Sequence, residues 1–388
     1  MDSGITFTFA VIFLGAAVLS SLALYARQPI IIAYIALGVA MGPQGAGLVP
    51  DTNLVSGAGH VGIILLLFLL GLDMKPSALW NSLRQSTLVA VFSTLIFGAA
   101  GYGMSRFFSF NHLDSLLIGA ALVFSSTIIG IKLLPTTVLH HKHLGELMIP
   151  LLLFQDVMAI VVLVLMEGVG GGDYSADALL MPLVTLPLLA LLSWVSVKTI
   201  LLTLIQRFDR YHEYIFLLSI GWCLGMAELA ILMGLSAEIG AFVAGVSIAS
   251  SPIAQYIAIS LKPLRDFFLV VFFFSVGSGL DLEALPKVAV PAVAMAALFL
   301  VVKPLVYQWL VRGIFDEPKL AWNLGLRLGQ CSEFSLLIAF LGTAKGLLSA
   351  DAATVIQACT ILTLLLSSYV VVLRLPNPIA ISDALRRD

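Results

Sequence analysis

The chain has 388 residues, of which 60% are hydrophobic and 11% are charged. Soluble domains carry about 25% charged residues, so this balance excludes an ordinary soluble protein and indicates an all-α polytopic membrane protein. The formal net charge is −2 and the sequence contains no basic block, so a nucleic-acid partner is not expected.

Apolar runs long enough to cross about 30 Å of hydrocarbon occur about thirteen times along the chain. The predicted spans cover residues 5–25, 29–49, 58–73, 85–108, 115–135, 147–167, 178–206, 213–230, 233–250, 264–280, 287–312, 320–344 and 351–373. Only a tight turn separates the eighth span from the ninth, so twelve spans is the alternative count.

Basic residues favour the thirteen-span topology. With the N-terminus outside, fifteen of the 20 Lys and Arg residues lie in cytoplasmic loops, in the tail or at the adjoining span ends. Because cytoplasmic loops of membrane proteins hold an excess of basic residues, this distribution orients the predicted multi-pass protein of the inner cell membrane. Its N-terminus is expected outside and its C-terminus in the cytoplasm.

The sequence contains an internal repeat. A Gly-Leu-Asp sequence at 71–73 recurs at 279–281, 208 residues later, and Gly38 and Gly245 lie 33 and 34 residues before the two copies. The predicted topology gives the copies opposite orientations, which is typical of secondary transporters with a site near the membrane midplane. The predicted divisions are a first inverted repeat at 1–177, a linker helix and loop at 178–212, a second inverted repeat at 213–373 and a cytoplasmic tail at 374–388.

The repeat relates two polar clusters that lie in mid-span. Its offset leads from Ser125 to Glu333, so residues 123–127 correspond to residues 331–335. Non-helical backbone at membrane depth is tolerated only where protein or water satisfies it, so the paired clusters predict two broken helices that cross. The alternative is two continuous helices whose hydroxyl groups bond to carbonyl oxygens one turn earlier.

Asp156 lies in an apolar run from about residue 148 to residue 166. A charged residue at the centre of a membrane helix costs about 2.5–3.5 kcal/mol, so we interpret this carboxylate as functional. The alternative is a carboxylate that is buried neutral, or paired, inside the bundle. A carboxylate can hold a proton or an alkali cation but not both, and this competition produces exchange. Polar neighbours could complete an oxygen-rich cation site: Gln155, Ser125, Ser126 and Thr127.

Charged residues of the second repeat also fall inside predicted spans. Lys303 lies about sixteen residues into its span, and Arg327, Gln330 and Glu333 recur every three residues along one side of the next. We expect them to compensate the dipoles of the broken helices, with basic residues near C-terminal ends and Glu333 near an N-terminal end. The alternative is that Lys303 pairs with Asp156 and releases it when a cation binds.

These stretches resemble the monovalent cation:proton antiporter-2 family, and within it the Kef-type potassium efflux systems. The similar segments occur in family order over nearly the whole chain: residues 62–73, Phe124-Ser125-Ser126-Thr127, Leu153-Phe154-Gln155-Asp156, residues 239–246, residues 272–277, Lys303 and residues 330–334. The Gln-Asp pair resembles the Kef branch, whereas sodium-transporting relatives more often have Asp-Asp or Asn-Asp at this point.

The resemblance implies a sodium/proton-antiporter-type fold of thirteen helices, with a core domain that holds two crossed broken helices and a separate dimerisation domain. It also implies a homodimer and an elevator-like movement of the core, with Asp156 as carrier of the proton and the cation. Kef-type proteins continue into a cytoplasmic nucleotide-binding regulatory domain, which we expect to be missing from this chain.

We therefore predict an antiporter that exchanges potassium for a proton, with no cofactor besides the transported ions. No Walker motif or hydrolase triad occurs, and the three cysteines lack the spacing of a metal site, so neither an enzyme nor a metal centre is expected. The alternatives are a sodium/proton antiporter of the same fold, a ligand-gated potassium efflux channel and a sodium-coupled organic-anion symporter. Glu238 is expected to be a helix-start acid near the outer face.

Overall fold

The computed structural model describes residues 4–26, 28–49, 52–74, 76–127, 130, 143–169, 176–208, 210–315 and 318–376. These residues form helices and the turns between them. The helices of the first half are α1 (Ile5–Tyr25), α2 (Ile30–Met41), α3 (Thr52–Asp73), α4 (Pro76–Phe107), α5 (His112–Leu122), α6 (His143–Val169), α7 (Ala176–Ser196) and, after a π-helical turn (Val197–Leu201), α8 (Leu202–Arg207). The second half contains α9 (His212–Leu232), α10 (Ala237–Ala249), α11 (Ala254–Ser278), α12 (Leu285–Phe315), α13 (Pro318–Arg327), α14 (Glu333–Ala344) and α15 (Ala350–Arg374).

By length and composition, eight stretches of described helix could cross a membrane. They lie in α1, α3, α4, α6, α7 to α8, α9, α12 and α15, and four shorter apolar helices are α2, α5, α10 and α14. The prediction of an all-α polytopic membrane protein is therefore confirmed, whereas the count of thirteen spans is not. Hydropathy averaged over a stretch of sequence does not detect a helix that ends within an apolar region. The predicted span 29–49, for example, is helical only to Met41.

The predicted eighth and ninth spans are separate helices in the structure. α9 ends at Leu232 and α10 begins at Ala237. Gly234, in the turn between them, has a φ of 77°. This left-handed conformation is accessible to glycine at little cost, which explains how so short a turn reverses the chain.

The chain divides into two compact units. Unit 1 comprises Met1–Pro50, Ser82–Ala159 and Val276–Asp388, and unit 2 comprises Asp51–Asn81 and Ile160–Ser275. Each unit draws on both predicted repeats, so neither unit is a repeat. The repeat boundaries at 177, 212 and 373 stay predictions.

Small residues let helices approach closely inside each unit. In unit 2, a Cβ atom at Gly245 would overlap the carbonyl oxygen of Phe68, so α3 and α10 touch backbone to backbone. In unit 1, a Cβ atom at Gly277 would overlap the carbonyl oxygen of Ile35, so the end of α11 touches α2 in the same way. Each contact joins a helix of the first predicted repeat to a helix of the second.

Candidate functional site

Two helix interruptions lie at the predicted polar clusters. α5 ends at Leu122 and helical backbone resumes only at Thr127. α13 ends at Arg327 and α14 begins at Glu333, with Ser332 as its N-cap. The prediction of helix breaks at both positions is therefore confirmed, and the alternative of two continuous helices is wrong.

The two interruptions contact each other within unit 1. The hydroxyl group of Ser125 donates to the carbonyl oxygen of Leu328 at 2.9 Å, so one break satisfies a backbone group of the other. Ser335, in the first turn of α14, donates to the carbonyl oxygen of Ala121 at 2.7 Å. Unpaired backbone groups are costly in a membrane, and these side-chain donors reduce that cost.

Lys303 of α12 is fully buried and joins both interruptions. Its ammonium group donates to the carbonyl oxygen of Phe124 at 2.8 Å and to that of Gln330 at 3.0 Å. The rings of Phe97 and Phe299 lie 5.7 and 5.6 Å from its Nζ atom. The ammonium group of Lys303 thus binds carbonyl oxygens at the C-terminal ends of the broken helices, as the dipole argument predicts. Among the described side chains, Lys303 forms no ion pair with Asp156, so the alternative pairing is absent from this structure.

Asp156 lies on α6 with only 1% of its surface exposed. The hydroxyl group of Thr127 lies 3.3 and 3.2 Å from its two carboxylate oxygens and donates to them. Ser126 is also buried in the first interruption. The structure therefore brings Asp156 and Thr127 together at the first interruption.

Gln155 is engaged at both ends of its amide group. Its Oε1 atom accepts from the backbone N–H of Ser125 at 2.8 Å, and its Nε2 atom donates to the hydroxyl group of Tyr307 at 2.6 Å. Tyr307, fully buried on α12, was not predicted from the sequence. The signal that could have identified it is its position four residues after Lys303, which puts both side chains on one face of α12.

The remaining predicted residues lie in unit 1 with different partners. The side-chain oxygen of Gln330 accepts from Ser367 at 2.9 Å. Arg327, the last residue of α13, donates to the side chain of Asn323 at 2.8 Å and to the carbonyl oxygen of Pro376 at 2.6 Å. Arg327 thus lies at a helix C-terminus as predicted, but these partners connect it to the end of α15.

Glu238 is in the first turn of α10, as predicted for a helix-start acid. Its carboxylate, with 2% of the side chain exposed, lies 2.7 Å from Nε2 of His60 on α3. The His60 side chain is 41% exposed. This pair belongs to unit 2, and the sequence had given no indication of the histidine.

The chemistry available around Asp156 is that of hard oxygen ligands. A carboxylate and a threonine hydroxyl group suit a proton or an alkali cation. Across the described parts of the chain, no three His, Cys, Asp or Glu side chains converge as they would in a metal centre.

Residues 9–373 match the transmembrane domain of sodium/hydrogen exchangers. The chain belongs to the sodium/hydrogen exchanger family. The resemblance to cation:proton antiporters is thereby confirmed, and the family is one of transporters rather than enzymes. The described apolar helices agree with a multi-pass membrane protein of this family.

Two relatives share about a quarter of their residues with this chain. The iron transporter MagA of Paramagnetospirillum magneticum is 27% identical over 368 residues, which cover 93% of this chain and 83% of that protein. K(+) efflux antiporter 5 of Arabidopsis thaliana is 27% identical over 330 residues, which cover 80% of this chain and 56% of that protein. The second relative supports the assignment as a Kef-type membrane domain.

A solved structure shares the fold. The sodium proton antiporter MjNhaP1 from Methanocaldococcus jannaschii superposes with a TM-score of 0.71 at 18% sequence identity. The similarity covers 93% of this chain and 94% of that chain. At this identity, the likeness establishes the architecture alone.

Proposed function

We propose that the chain is a secondary active transporter that exchanges a monovalent cation for a proton at Asp156, with potassium as the first candidate cation. One observation carries the proposal. A carboxylate with 1% exposure contacts the Thr127 hydroxyl group at a helix interruption, where Lys303 neutralises the carbonyl ends. Lys303 is bound to carbonyl oxygens, so a transported cation or a proton is needed to balance the negative charge of Asp156.

Competition for the carboxylate would produce coupled exchange. The ionised form of Asp156 attracts a dehydrated cation, with oxygen ligands available from Thr127 and from Ser125 or Ser126. The protonated form offers no charge to that cation, so one ligand leaves before the other binds. An elevator-like movement that exposes the site to one side at a time would convert this competition into antiport.

The choice of potassium rests on the Gln-Asp pair at 155–156 and on the relative named as a K(+) efflux antiporter. The alternative is a sodium/proton antiporter, the activity named for the structural neighbour MjNhaP1. A ligand-gated efflux channel would instead need a continuous water-filled path.

The proposal extends to assembly and orientation. We infer thirteen spans in two inverted repeats, a homodimer formed through a dimerisation domain, and an inner-membrane location with the N-terminus outside. The basic-residue distribution supports the orientation, and the matching glycine contacts of α3 with α10 and of α2 with α11 support the repeats.

The proposal is tested with Asp156→Asn in proteoliposomes that contain a pH-sensitive dye. Potassium added to the wild type should release quenched fluorescence, and D156N should not respond, because its amide cannot carry a proton or balance a cation. The matched control is Asp351→Asn, which makes the same chemical change at an exposed residue in the first turn of α15.

Exchange that persists in D156N would contradict the role of Asp156 as carrier. A series of potassium, sodium, rubidium and lithium at several pH values then identifies the cation. Potassium current without proton flux would favour the channel.

A further inference from the structure

One face of α12 presents two buried polar side chains to the site, one turn apart. Lys303 binds the carbonyl ends of the interruptions, whereas the hydroxyl group of Tyr307 meets the amide of Gln155 at 2.6 Å. The exchange of ions at Asp156 explains neither this tyrosine nor the two hydrogen bonds of the glutamine. Both side chains are buried, so their hydrogen bonds do not compete with water.

The contacts of Tyr307 fix the orientation of the Gln155 amide. Its ring packs edge-on against Phe97, with centroids 5.4 Å apart and an interplanar angle of 72°. Since the hydroxyl oxygen of Tyr307 accepts from Nε2 of Gln155, the Oε1 atom of Gln155 is turned toward the backbone N–H of Ser125, 2.8 Å away.

The amide of Gln155 therefore connects three parts of unit 1: α6, α12 and the first interruption. Asp156 is the next residue of α6, and Thr127 lies two residues after Ser125. The distance between the carboxylate of Asp156 and the hydroxyl group of Thr127 consequently depends on this connection. A side chain held at both ends acts as a tether.

We propose that Tyr307 is a positioning residue for the ion site, which acts through Gln155 to set how tightly Asp156 and Thr127 hold a cation against a proton. The inference rests on the proposed function of Asp156. Under this proposal, Gln155 contributes to the ion site by holding the first interruption beside Asp156. Direct coordination of the ion by the amide is not required.

Tyr307→Phe tests the proposal because it removes only the hydroxyl group and keeps the ring beside Phe97. In proteoliposomes, the half-saturating potassium concentration should rise about tenfold, the size expected when one hydrogen bond of a buried site is lost, with a maximal rate close to wild type. Because a cation that binds more weakly competes less well with protons, the pH profile of exchange should shift toward higher pH. The matched control is Tyr102→Phe, whose hydroxyl group contacts His112 at 2.9 Å in an exposed pair.

A double-mutant cycle separates the tether from a general loss of structure. Gln155→Met keeps the side-chain length and removes both hydrogen bonds, so it should raise the half-saturating concentration as Y307F does. If Tyr307 acts through Gln155, Y307F should add little in the Q155M background. Q155M also carries the test if Y307F fails to fold, which size-exclusion chromatography shows.

Unchanged potassium affinity and pH profile in folded Y307F would overturn the proposal, and so would fully additive effects in the cycle. D156N, measured in parallel, distinguishes this outcome from failure of the proposed function. Exchange in D156N rejects Asp156 as the carrier, whereas an inactive D156N beside a wild-type-like Y307F rejects only the tether.

Discussion

Replacement of Lys303 by methionine measures how far the helix crossing depends on one buried ammonium group. Methionine keeps most of the side-chain length but donates no hydrogen bond, so the carbonyl oxygens of Phe124 and Gln330 lose donors that lie 2.8 and 3.0 Å away. A buried polar group left unsatisfied costs about 1–3 kcal/mol, so the two carbonyl groups together predict a loss of about 2–6 kcal/mol. Removal of a buried charge recovers part of its desolvation cost, which places the expected loss in the lower half of that range.

The assay is thermal unfolding of the purified protein, with Lys303→Gln as the matched variant. Glutamine lacks the charge but keeps N–H donors, so K303Q should unfold between K303M and the wild type. If Lys303 instead served mainly to neutralise Asp156, K303Q and K303M would unfold alike, and Asp156→Asn in the K303M background would restore stability. A wild-type unfolding midpoint in K303M would refute the role of this lysine as a scaffold.

Two further predictions concern unit 2. His60→Ala leaves the buried Glu238 carboxylate without the imidazole 2.7 Å away, so the free energy of unfolding should fall by about 1–3 kcal/mol. Adding Glu238→Gln to H60A should recover part of that loss, because a neutral amide costs less to bury than a charge. An unchanged unfolding midpoint in H60A would contradict a stabilising role for the pair. Gly245→Val forces a side chain against the carbonyl oxygen of Phe68, so size-exclusion chromatography should show little folded protein. Gly221→Val, at a position with open space, is its control, and equal yields would mean that α3 and α10 do not need their close approach.

The breaks at the candidate site were predictable because polar residues in apolar sequence are conspicuous. Ser125 and Glu333 stand in mid-span clusters related by the repeat, and the structure has interruptions at both. Helix ends that lie within apolar sequence were harder to predict. The predicted span at 29–49 contains no charge that would mark the end of α2 at Met41, so hydropathy alone continued it.

Side-chain partners were the least predictable part of the site. Lys303 and Phe124 are 179 positions apart in the chain, and Gln155 and Tyr307 are 152 apart. Neither residue type nor local periodicity indicates which of many distant groups will lie within 3 Å. The sequence therefore left two roles open for Lys303, and the structure has carbonyl oxygens as its partners.

The sequence by itself determined the membrane environment, the family and the apolar surroundings of Asp156, because each depends on residue type and on spacing along the chain. Only the tertiary structure decided that Lys303 binds both interruptions, that Tyr307 holds Gln155 and that His60 meets Glu238. These contacts depend on how distant segments approach one another. That approach depends on how the side chains of segments far apart in the sequence pack together, which residue type and local spacing do not reveal.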